Sequence, residues 1–298
     1  MKNFILLLFA ASLTLAAASC NKENFNSTSG NRNGTPDEIA FRSKGLEIDV
    51  TSKATAVETL TSFYVSASTG TAGTNDKYVW KSVSFSKSGN IYTGGKYWPD
   101  TDPKYHFYAS NVNFNCTDGS APTISINGIS DDIVCAVCTS PTHRDVNSLT
   151  FNHIFTRLGS VTVSGPENGY ELSAVSIKLT PKTKGKYNLF TGTGEINGAG
   201  WTDTVAGSET EIASADGQTK QNDIYLIPDT YTLTAKYTLK KGDYSRDFTN
   251  TKEIELVSGK INSIKASIPE PGNGQEAKDI VFTVELTQWK TNVMSISF

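Results

Sequence analysis

The chain has 298 residues, of which 37% are hydrophobic and 19% are charged, so it is long enough for two ordinary domains and too apolar for general disorder. Its 27 Lys and Arg residues against 30 Asp and Glu residues give a formal net charge of -3, which excludes the large positive excess that nucleic-acid binding needs. The 24 glycines and 10 prolines, with only 2 methionines, favour short strands joined by turns over long helices.

Residues 1–19 have the features of an export signal: a charged start at Lys2, an apolar run over residues 4–18 and the small residues Ala17-Ala18-Ser19. The run is short for a membrane-spanning helix, which needs roughly 20 apolar residues. Ala-Ala-Ser-Cys resembles the lipobox of bacterial lipoproteins, in which the cysteine receives a diacylglycerol and becomes the first residue. We therefore predict a lipid anchor on Cys20; the alternative is an ordinary secreted protein that is cut nearby.

Residues 20–37 contain one aromatic residue among turn-forming and charged residues, so they cannot bury a core. We predict a flexible tether here, with folding beginning near Glu38. Asn21-Lys22-Glu23 resembles the short acidic signal that directs some Gram-negative lipoproteins to the outer face. The expected location is therefore the outer membrane, at the cell surface.

From Glu38 onward apolar residues alternate with polar ones, and Gly, Asn, Asp or Pro bound each run, which is typical of strands. The turn-rich segment 140–145 divides the strands into two series. We predict two β-sandwich domains, 38–145 and 146–298. The predicted strands are Ile39–Val50, Leu60–Ser66, Val79–Ser86, Asn90–Tyr97, Tyr105–Ala109, Thr123–Ile126, Ile133–Cys138, Leu149–Val163, Leu172–Leu179, Lys186–Thr191, Glu209–Ala213, Asp223–Ile227, Tyr231–Leu239, Phe248–Val257, Ile261–Ile268 and Ile280–Trp289.

Several short motifs follow the lipobox in a characteristic order and span essentially the whole chain. The ordered set resembles the fimbrillin family, the type V pilins and accessory fimbrial lipoproteins of Gram-negative gut and oral bacteria. The motifs are Ile39-Ala40-Phe41, Thr51-Ser52-Lys53-Ala54-Thr55, Ser62-Phe63-Tyr64-Val65, Lys96-Tyr97-Trp98-Pro99, Tyr105-His106-Phe107-Tyr108-Ala109, Asp132-Ile133-Val134-Cys135-Ala136, Leu149-Thr150-Phe151-Asn152-His153 and Thr287-Gln288-Trp289.

This resemblance implies an all-β fold of two tandem transthyretin-like Greek-key β-sandwich domains. It implies a fimbrial subunit, or an accessory or tip subunit, that is exported as a lipoprotein and mediates adhesion. Assembly with other fimbrial subunits is expected to proceed by strand exchange triggered by proteolysis. The adhesion ligand is expected to be a host or bacterial glycan or protein, and no cofactor is expected.

The resemblance also places a cleavage site after the first strand, where processed members carry Arg in the stretch that aligns with Ser52-Lys53-Ala54. This chain has Lys53 there, so we predict cleavage after Lys53, with Arg42 and Arg32 as alternatives. Cleavage after Lys53 would release the lipid anchor together with the first strand. The alternative is that Lys53 is a solvated loop residue of an uncleaved accessory subunit.

The tail 290–298 is the predicted donor strand. Met294, Ile296 and Phe298 alternate with serines and Val293 precedes them, so the segment has the pattern of a strand with one apolar face. The alternative is a last strand that folds within its own domain.

Three cysteines follow Cys20, namely Cys116, Cys135 and Cys138. Positions i and i+3 of a regular strand face opposite ways, so a disulfide from Cys116 to Cys135 or to Cys138 is favoured over one between the latter two. A redox CxxC site needs a helix start that lowers the thiol pKa, whereas this pair lies in a strand-like run. The three histidines do not have zinc-ligand spacing around the pair, so no metal site is predicted.

Two residues remain as candidates for other roles. His153 is interpreted as a hydrogen-bonded structural histidine at the domain boundary. Trp201, near the glycine-rich segment 192–200, is the best candidate for a glycan contact, and the alternative function is accordingly a monomeric surface lipoprotein that binds glycans. The sequence has no GxSxG, HExxH or GxxxxGK[ST] motif, so we predict no catalytic residue and no enzyme activity.

Overall fold

The computed structural model describes residues 38–43, 60–89, 91–98, 105–138, 148–191, 196, 198–214, 220–272, 278–289 and 292–297. A single turn of 3-10 helix, Gly198–Gly200, is the helical element among them. No helix in the described part of the chain has the length and apolar character of a membrane span. The described strands are β1 Glu38–Ser43, β2 Ser62–Thr71, β3 Asn75–Ser88, β4 Ile91–Tyr97, β5 His106–Ser110, β6 Thr123–Asn127, β7 Val134–Cys138, β8 Ser148–His153, β9 Thr156–Ser164, β10 Glu171–Leu179, β11 Lys182–Asn188, β12 Trp201–Ala206, β13 Thr210–Ser214, β14 Lys220–Leu226, β15 Asp229–Lys241, β16 Tyr244–Leu256, β17 Lys260–Ser267, β18 Val281–Gln288 and β19 Asn292–Ser297.

The N-terminal strands and the last strand close into a barrel in the order β1-β19-β8-β7-β5-β2-β3-β4. All neighbours are antiparallel, and closure pairs every one of these strands on both sides. Alternating apolar residues face the interior, which is rich in aromatic rings. The buried core of the barrel consists of Ile39, Phe41, Leu60, Phe63, Val65, Ala67, Phe85, Tyr92, Trp98, Tyr105, Phe107, Ala109, Val134, Ala136, Cys138, Leu149 and Phe151.

The C-terminal strands form a sandwich of two four-stranded sheets, β13-β10-β15-β16 and β14-β9-β17-β18. The long hairpin of β15 and β16 pairs continuously from Asp229 opposite Leu256 to Lys241 opposite Tyr244. β9 and β17 are parallel neighbours, whereas the other pairs are antiparallel. In β15 every second residue is buried, namely Tyr231, Leu233, Ala235, Tyr237 and Leu239, so the period-2 pattern builds the inner face.

A third group of buried residues joins the barrel to the sandwich. The three-stranded sheet β12-β11-β6 pairs β6, from the first predicted domain, with β11, from the second, and Gly185 lies opposite Ile126. The buried residues of this junction are Tyr108, Phe114, Ile124, Ile126, Ile133, Cys135, Ile154, Phe155, Tyr187, Leu189 and Ile227. The two parts of the molecule therefore share apolar packing.

The predicted all-β class is confirmed. The structure differs from the predicted organisation in two respects. The N-terminal part is a closed barrel, and β8 and β19, which both follow the predicted boundary at residue 145, belong to that barrel. The chain passes from the barrel to the sandwich between His153 and Thr156. β8 belongs to the barrel because it pairs with β7, although it follows the turn-rich segment 140–145.

Candidate functional site

The first strand lies in a seam of the barrel, between β4 and the C-terminal strand. On one side Phe41 pairs with Tyr92 and Arg42 with Ile91. On the other side Phe41 pairs with Ile296 and Arg42 with Ser295. Without β1 the backbone groups of β4 and β19 that face it would lose their partners.

The side chains of β1 reach the centre of the barrel. Ile39 and Phe41 are fully buried. The Phe41 ring makes edge-to-face contacts with Phe63, Phe85 and Phe107, with centroids 5.6, 5.1 and 5.9 Å away. Burial of each of the two β1 side chains contributes about 1.5–3 kcal/mol, and aromatic pairs of this geometry add to it.

The wall of the seam is also held by contacts that do not involve β1. Tyr92 donates a hydrogen bond from its hydroxyl to the Leu60 carbonyl at 2.5 Å, which fixes its ring beside Phe63. Gly94 makes room for the Phe85 ring, since a Cβ at this position would lie 2.8 Å from it. The groove that receives β1 is therefore shaped by side chains held by other strands.

The C-terminal strand β19 completes the seam. Met294 lies opposite Leu149 of β8, and Ile296 lies opposite Phe41 of β1. Val293 pairs with Thr150, whereas Phe298 lies outside the described residues. The predicted donor segment is thus a strand that occupies a position in the barrel of its own chain.

Trp289 fixes the chain just before β19. It is buried, and its ring stacks on His153 at 3.8 Å between centroids and on Tyr225 at 5.4 Å, with interplanar angles of 9° and 7°. His153 Nδ1 lies 2.7 Å from Oδ2 of Asp132, and both side chains are buried. His153 is therefore buried and hydrogen-bonded as predicted. The Thr287-Gln288-Trp289 motif was a signal for this contact, but the sequence does not reveal which residues pack on the indole.

Among the predicted processing residues, Lys53 and Arg32 lie outside the described residues, as does Cys20. Arg42 lies inside β1, where its backbone pairs with strands on both sides. Proteases cleave exposed, unpaired segments, so Arg42 is protected while β1 is in place.

The cysteines lie in packed surroundings. Cys116, which both predicted disulfides require, is a free thiol, so neither disulfide is formed in the structure. It instead makes a hydrogen bond with Ser66 Oγ at 3.1 Å. Cys135 is fully buried with its sulfur 3.6 Å from Ser110 Oγ, and burial raises the pKa of this thiol to about 12. A thiol with so high a pKa is a poor nucleophile at neutral pH.

Trp201 takes part in internal packing. Its half-buried ring stacks on Phe155 at 5.4 Å between centroids and meets Tyr187 edge-on at 5.1 Å. Its indole N–H donates to the Ile154 carbonyl at 3.1 Å. The Trp201 ring therefore packs within the junction between the barrel and the sandwich.

A cleft of about 580 Å³ opens beside the junction, between the end of β8, the start of β15 and the turn from β16 to β17. Its charged residues are Asp229, Glu255 and Lys260. Asp229 is paired with Lys182. No sequence motif indicated this cleft, because its lining comes from four separate segments of the chain. In the described part of the chain no group of His, Cys, Asp and Glu side chains is arranged to hold a metal ion.

Comparison with known proteins agrees with the fold. No curated protein matches the chain. Among solved structures, a candidate cell adhesion protein from Parabacteroides distasonis is 12% identical, with 86% of this chain and 97% of that chain covered and a TM-score of 0.51. A similar protein from Bacteroides eggerthii is 11% identical, with 88% of this chain and 98% of that chain covered and a TM-score of 0.44. Another from Bacteroides ovatus is 16% identical, with 86% of this chain and 88% of that chain covered and a TM-score of 0.38.

The Parabacteroides distasonis likeness supports the all-β fold. The sequence itself matches the model of a protein family described as fimbrillin-like over residues 49–289, which is most of the chain. The chain therefore belongs to the fimbrillin-like family.

Proposed function

We propose that this protein is a fimbrial subunit, in the shaft or as an accessory or tip subunit, that assembles with other subunits by strand exchange and mediates adhesion. The observation that carries the proposal is the seam of the barrel, where β1 and the C-terminal strand β19 lie side by side and complete the fold. Family membership and the candidate adhesion proteins of similar fold support it. This role requires no bond-making chemistry.

Strand exchange has a physical driving force in this seam. A missing strand leaves unpaired backbone donors and acceptors beside an apolar groove, which is a template for another strand. The buried Ile39 and Phe41 alone represent about 3–6 kcal/mol of gross stabilisation that an incoming strand can recover. Donation from one chain to the next is a heterologous contact that does not close, so it builds a fibre.

The proposal includes export as a lipoprotein anchored in the outer membrane through Cys20. Cleavage after Lys53 would separate the lipid and β1 from the rest of the chain, whereas cleavage at the alternative, Arg32, would remove the lipid and leave β1 attached. Pairing of Arg42 on both sides favours the sites outside β1. Mass spectrometry of the N-terminus on intact cells tests these assignments: acylated Cys20 indicates an unprocessed subunit, whereas an N-terminus at Ala54 indicates cleavage after Lys53.

The proposed donor is the tail with Val293, Met294, Ile296 and Phe298. Deletion of residues 293–298 should abolish the ladder of oligomers on mildly denaturing gels, with and without prior trypsin treatment. The matched control carries Thr287→Ala, a change on an exposed side chain just before the tail, and should retain the ladder. A ladder that survives the deletion, or the absence of a ladder from every preparation of the full chain, would contradict the proposal.

A further inference from the structure

The cleft beside the junction is a feature of the molecule that the proposed assembly does not use. Its volume of about 580 Å³ lies within the roughly 300–1,000 Å³ of small-molecule sites, which often form where two domains meet. No described residue of β1 or β19 lines it. Release of β1 by cleavage after Lys53 would therefore leave the lining of the cleft in the chain.

The turn from β16 to β17 forms one wall, and buried hydrogen bonds fix its shape. Asn262 is fully buried; its Oδ1 accepts from the Val257 amide at 3.0 Å, and its Nδ2 donates to the Lys260 carbonyl at 3.1 Å. Gly259 has a φ of 62°, and its amide donates to the Phe155 carbonyl at 2.9 Å. The wall is thus pre-organised, which lowers the cost of ordering it around a ligand.

The start of β15 and the end of β16 form the second wall. The Asp229 carboxylate accepts a hydrogen bond from Lys182 Nζ, and its Oδ1 accepts one from the Thr230 amide at 2.7 Å. Thr230 lies opposite Glu255 in the ladder, and both side chains are exposed. A hydroxyl and a carboxylate therefore stand side by side at the cleft, next to a carboxylate whose position is fixed.

The end of β8 supplies the third wall, from the side of the barrel. His153 is held by its contact with Asp132, at 2.7 Å between Nδ1 and Oδ2. Asn152 is half-buried, and its Nδ2 donates to the Thr150 carbonyl at 3.2 Å. The Asn152 amide has a second N–H and a carbonyl oxygen, so it offers a ligand both a donor and an acceptor.

The charges of the cleft balance, which indicates the class of ligand. The carboxylates of Asp229 and Glu255 are matched by the ammonium groups of Lys260 and of Lys182, the partner of Asp229. A balanced site gives a strongly charged ligand no net attraction. Carboxylates only accept hydrogen bonds and ammonium groups only donate them, so the suitable ligand is neutral and does both, as hydroxyl groups do.

A saccharide meets these requirements better than a peptide does. Neighbouring sugar hydroxyls can donate to both oxygens of one carboxylate, whereas a peptide backbone presents one donor and one acceptor per residue. Pro228, Leu256 and Val257 add apolar surface to the lining, on which the C–H faces of a sugar ring can pack.

We propose that this cleft binds a neutral oligosaccharide. Glu255 and Asp229 accept hydrogen bonds from its hydroxyls, and Thr230 and Asn152 complete the contacts from the two neighbouring walls. This inference rests on the adhesive role in the proposed function and names the ligand class and the site.

Binding to a printed glycan array tests the ligand class. The fluorescently labelled full chain is applied to neutral oligosaccharides ending in galactose, mannose, fucose or N-acetylglucosamine, and to sialylated and sulfated ones. We expect saturable binding to at least one neutral oligosaccharide, and the strongest is then titrated by calorimetry. Binding confined to the charged oligosaccharides, or no binding at all, would overturn the inference.

Variants on the second wall test the position of the site. Glu255→Gln removes the charged acceptor and should weaken the calorimetric affinity by roughly tenfold or more. Thr230→Val removes the neighbouring hydroxyl and should weaken it by about threefold. The matched control is Glu253→Gln, the same change at an exposed position of β16 outside the lining, which should leave the affinity unchanged. Equal affinities of Glu255→Gln and Glu253→Gln would overturn the assignment to this cleft.

The oligomer ladder separates this inference from the proposed assembly. Glu255→Gln keeps the seam and the tail, so its ladder should match that of the unchanged chain. If ladders form but no neutral oligosaccharide binds, the inference fails and the assembly stands. If a neutral oligosaccharide binds as expected but ladders never form, the assembly fails and the site in the cleft stands.

Discussion

Asp76 is a fully buried carboxylate in the hairpin of β2 and β3, and it accepts several hydrogen bonds. Oδ1 accepts from Ser68 Oγ at 2.5 Å and from the Tyr108 hydroxyl at 3.0 Å, and Oδ2 accepts from the Gly73 amide at 2.6 Å. Asp76→Asn replaces one carboxylate oxygen, which accepts hydrogen bonds, by an NH₂ group that faces the same hydroxyl and amide donors. We expect a loss of about 3 kcal/mol in the free energy of unfolding, measured by urea denaturation.

The control for this prediction is Asp118→Asn. Asp118 is exposed and forms an ion pair with Lys81 at 2.9 Å on the surface. Exposed ion pairs contribute little, so this change should leave the urea midpoint nearly unchanged. Equal effects of the two substitutions would show that the buried network does not stabilise the hairpin.

Cys135 should make stability depend on alkaline pH. Burial raises its pKa to about 12, whereas an unfolded thiol titrates near 8.5. Between these values the unfolded chain releases a proton that the folded chain retains, so stability falls as pH rises through this window. From pH 8 to pH 10 the wild type should lose about 1–2 kcal/mol more than Cys135→Ala, by urea denaturation at each pH. Equal losses in the wild type and in Cys135→Ala would contradict the raised pKa of the Cys135 thiol.

At the scale of the element, the short strand β1 stabilises the barrel mainly through the ring of Phe41. Phe41→Ala removes the edge-to-face contacts with Phe63, Phe85 and Phe107 and leaves a cavity in the barrel. We expect a loss of about 3–5 kcal/mol in the free energy of unfolding. Phe282→Ala, on the edge strand β18 where the ring is half-buried, should cost less in the same urea titration. Similar losses in the two variants would indicate that Phe41 stabilises the fold no more than a half-buried residue of an edge strand does.

The sequence predicted strands well where alternation was strong. The strand predicted to begin at Ile39 has alternating apolar residues, Ile39 and Phe41, that are both buried, and the strand predicted from Tyr231 to Leu239 is present in β15. β12 was missed, because its sequence from Trp201 to Ala206 is mostly exposed and is held by pairing with β11 rather than by an apolar face. Such a strand has no periodic signal.

At the scale of the whole molecule, the sequence indicated two series of strands but not how they join. The turn-rich segment 140–145 looked like a domain boundary, yet β8 after it completes the barrel and β19 returns there from the far end of the chain. Pairing between strands more than 100 residues apart has no local signature. Alternation in the tail predicted a strand, but only the structure shows that this strand pairs with β1 and β8.

A column of stacked rings links the barrel to the sandwich. It runs from Trp201 through Phe155, Tyr225 and Trp289 to His153, with centroid distances of 5.4, 6.5, 5.4 and 3.8 Å. Phe155 lies between β8 and β9, and Tyr225 lies in β14, so the column crosses the junction. Because the two cores share this packing, the full chain should unfold in one calorimetric transition.

Trp289→Ala should divide that transition into two. The substitution removes the ring that stacks between Tyr225 and His153 and the contact that holds the start of β19, so barrel and sandwich lose their coupling as well as about 3–5 kcal/mol of stability. The matched control is Tyr237→Ala, which removes a buried ring from the sandwich core alone and should lower the single transition without dividing it. Differential scanning calorimetry distinguishes the two results. A single transition in Trp289→Ala, lowered as in the control, would show that the junction is held together by other contacts.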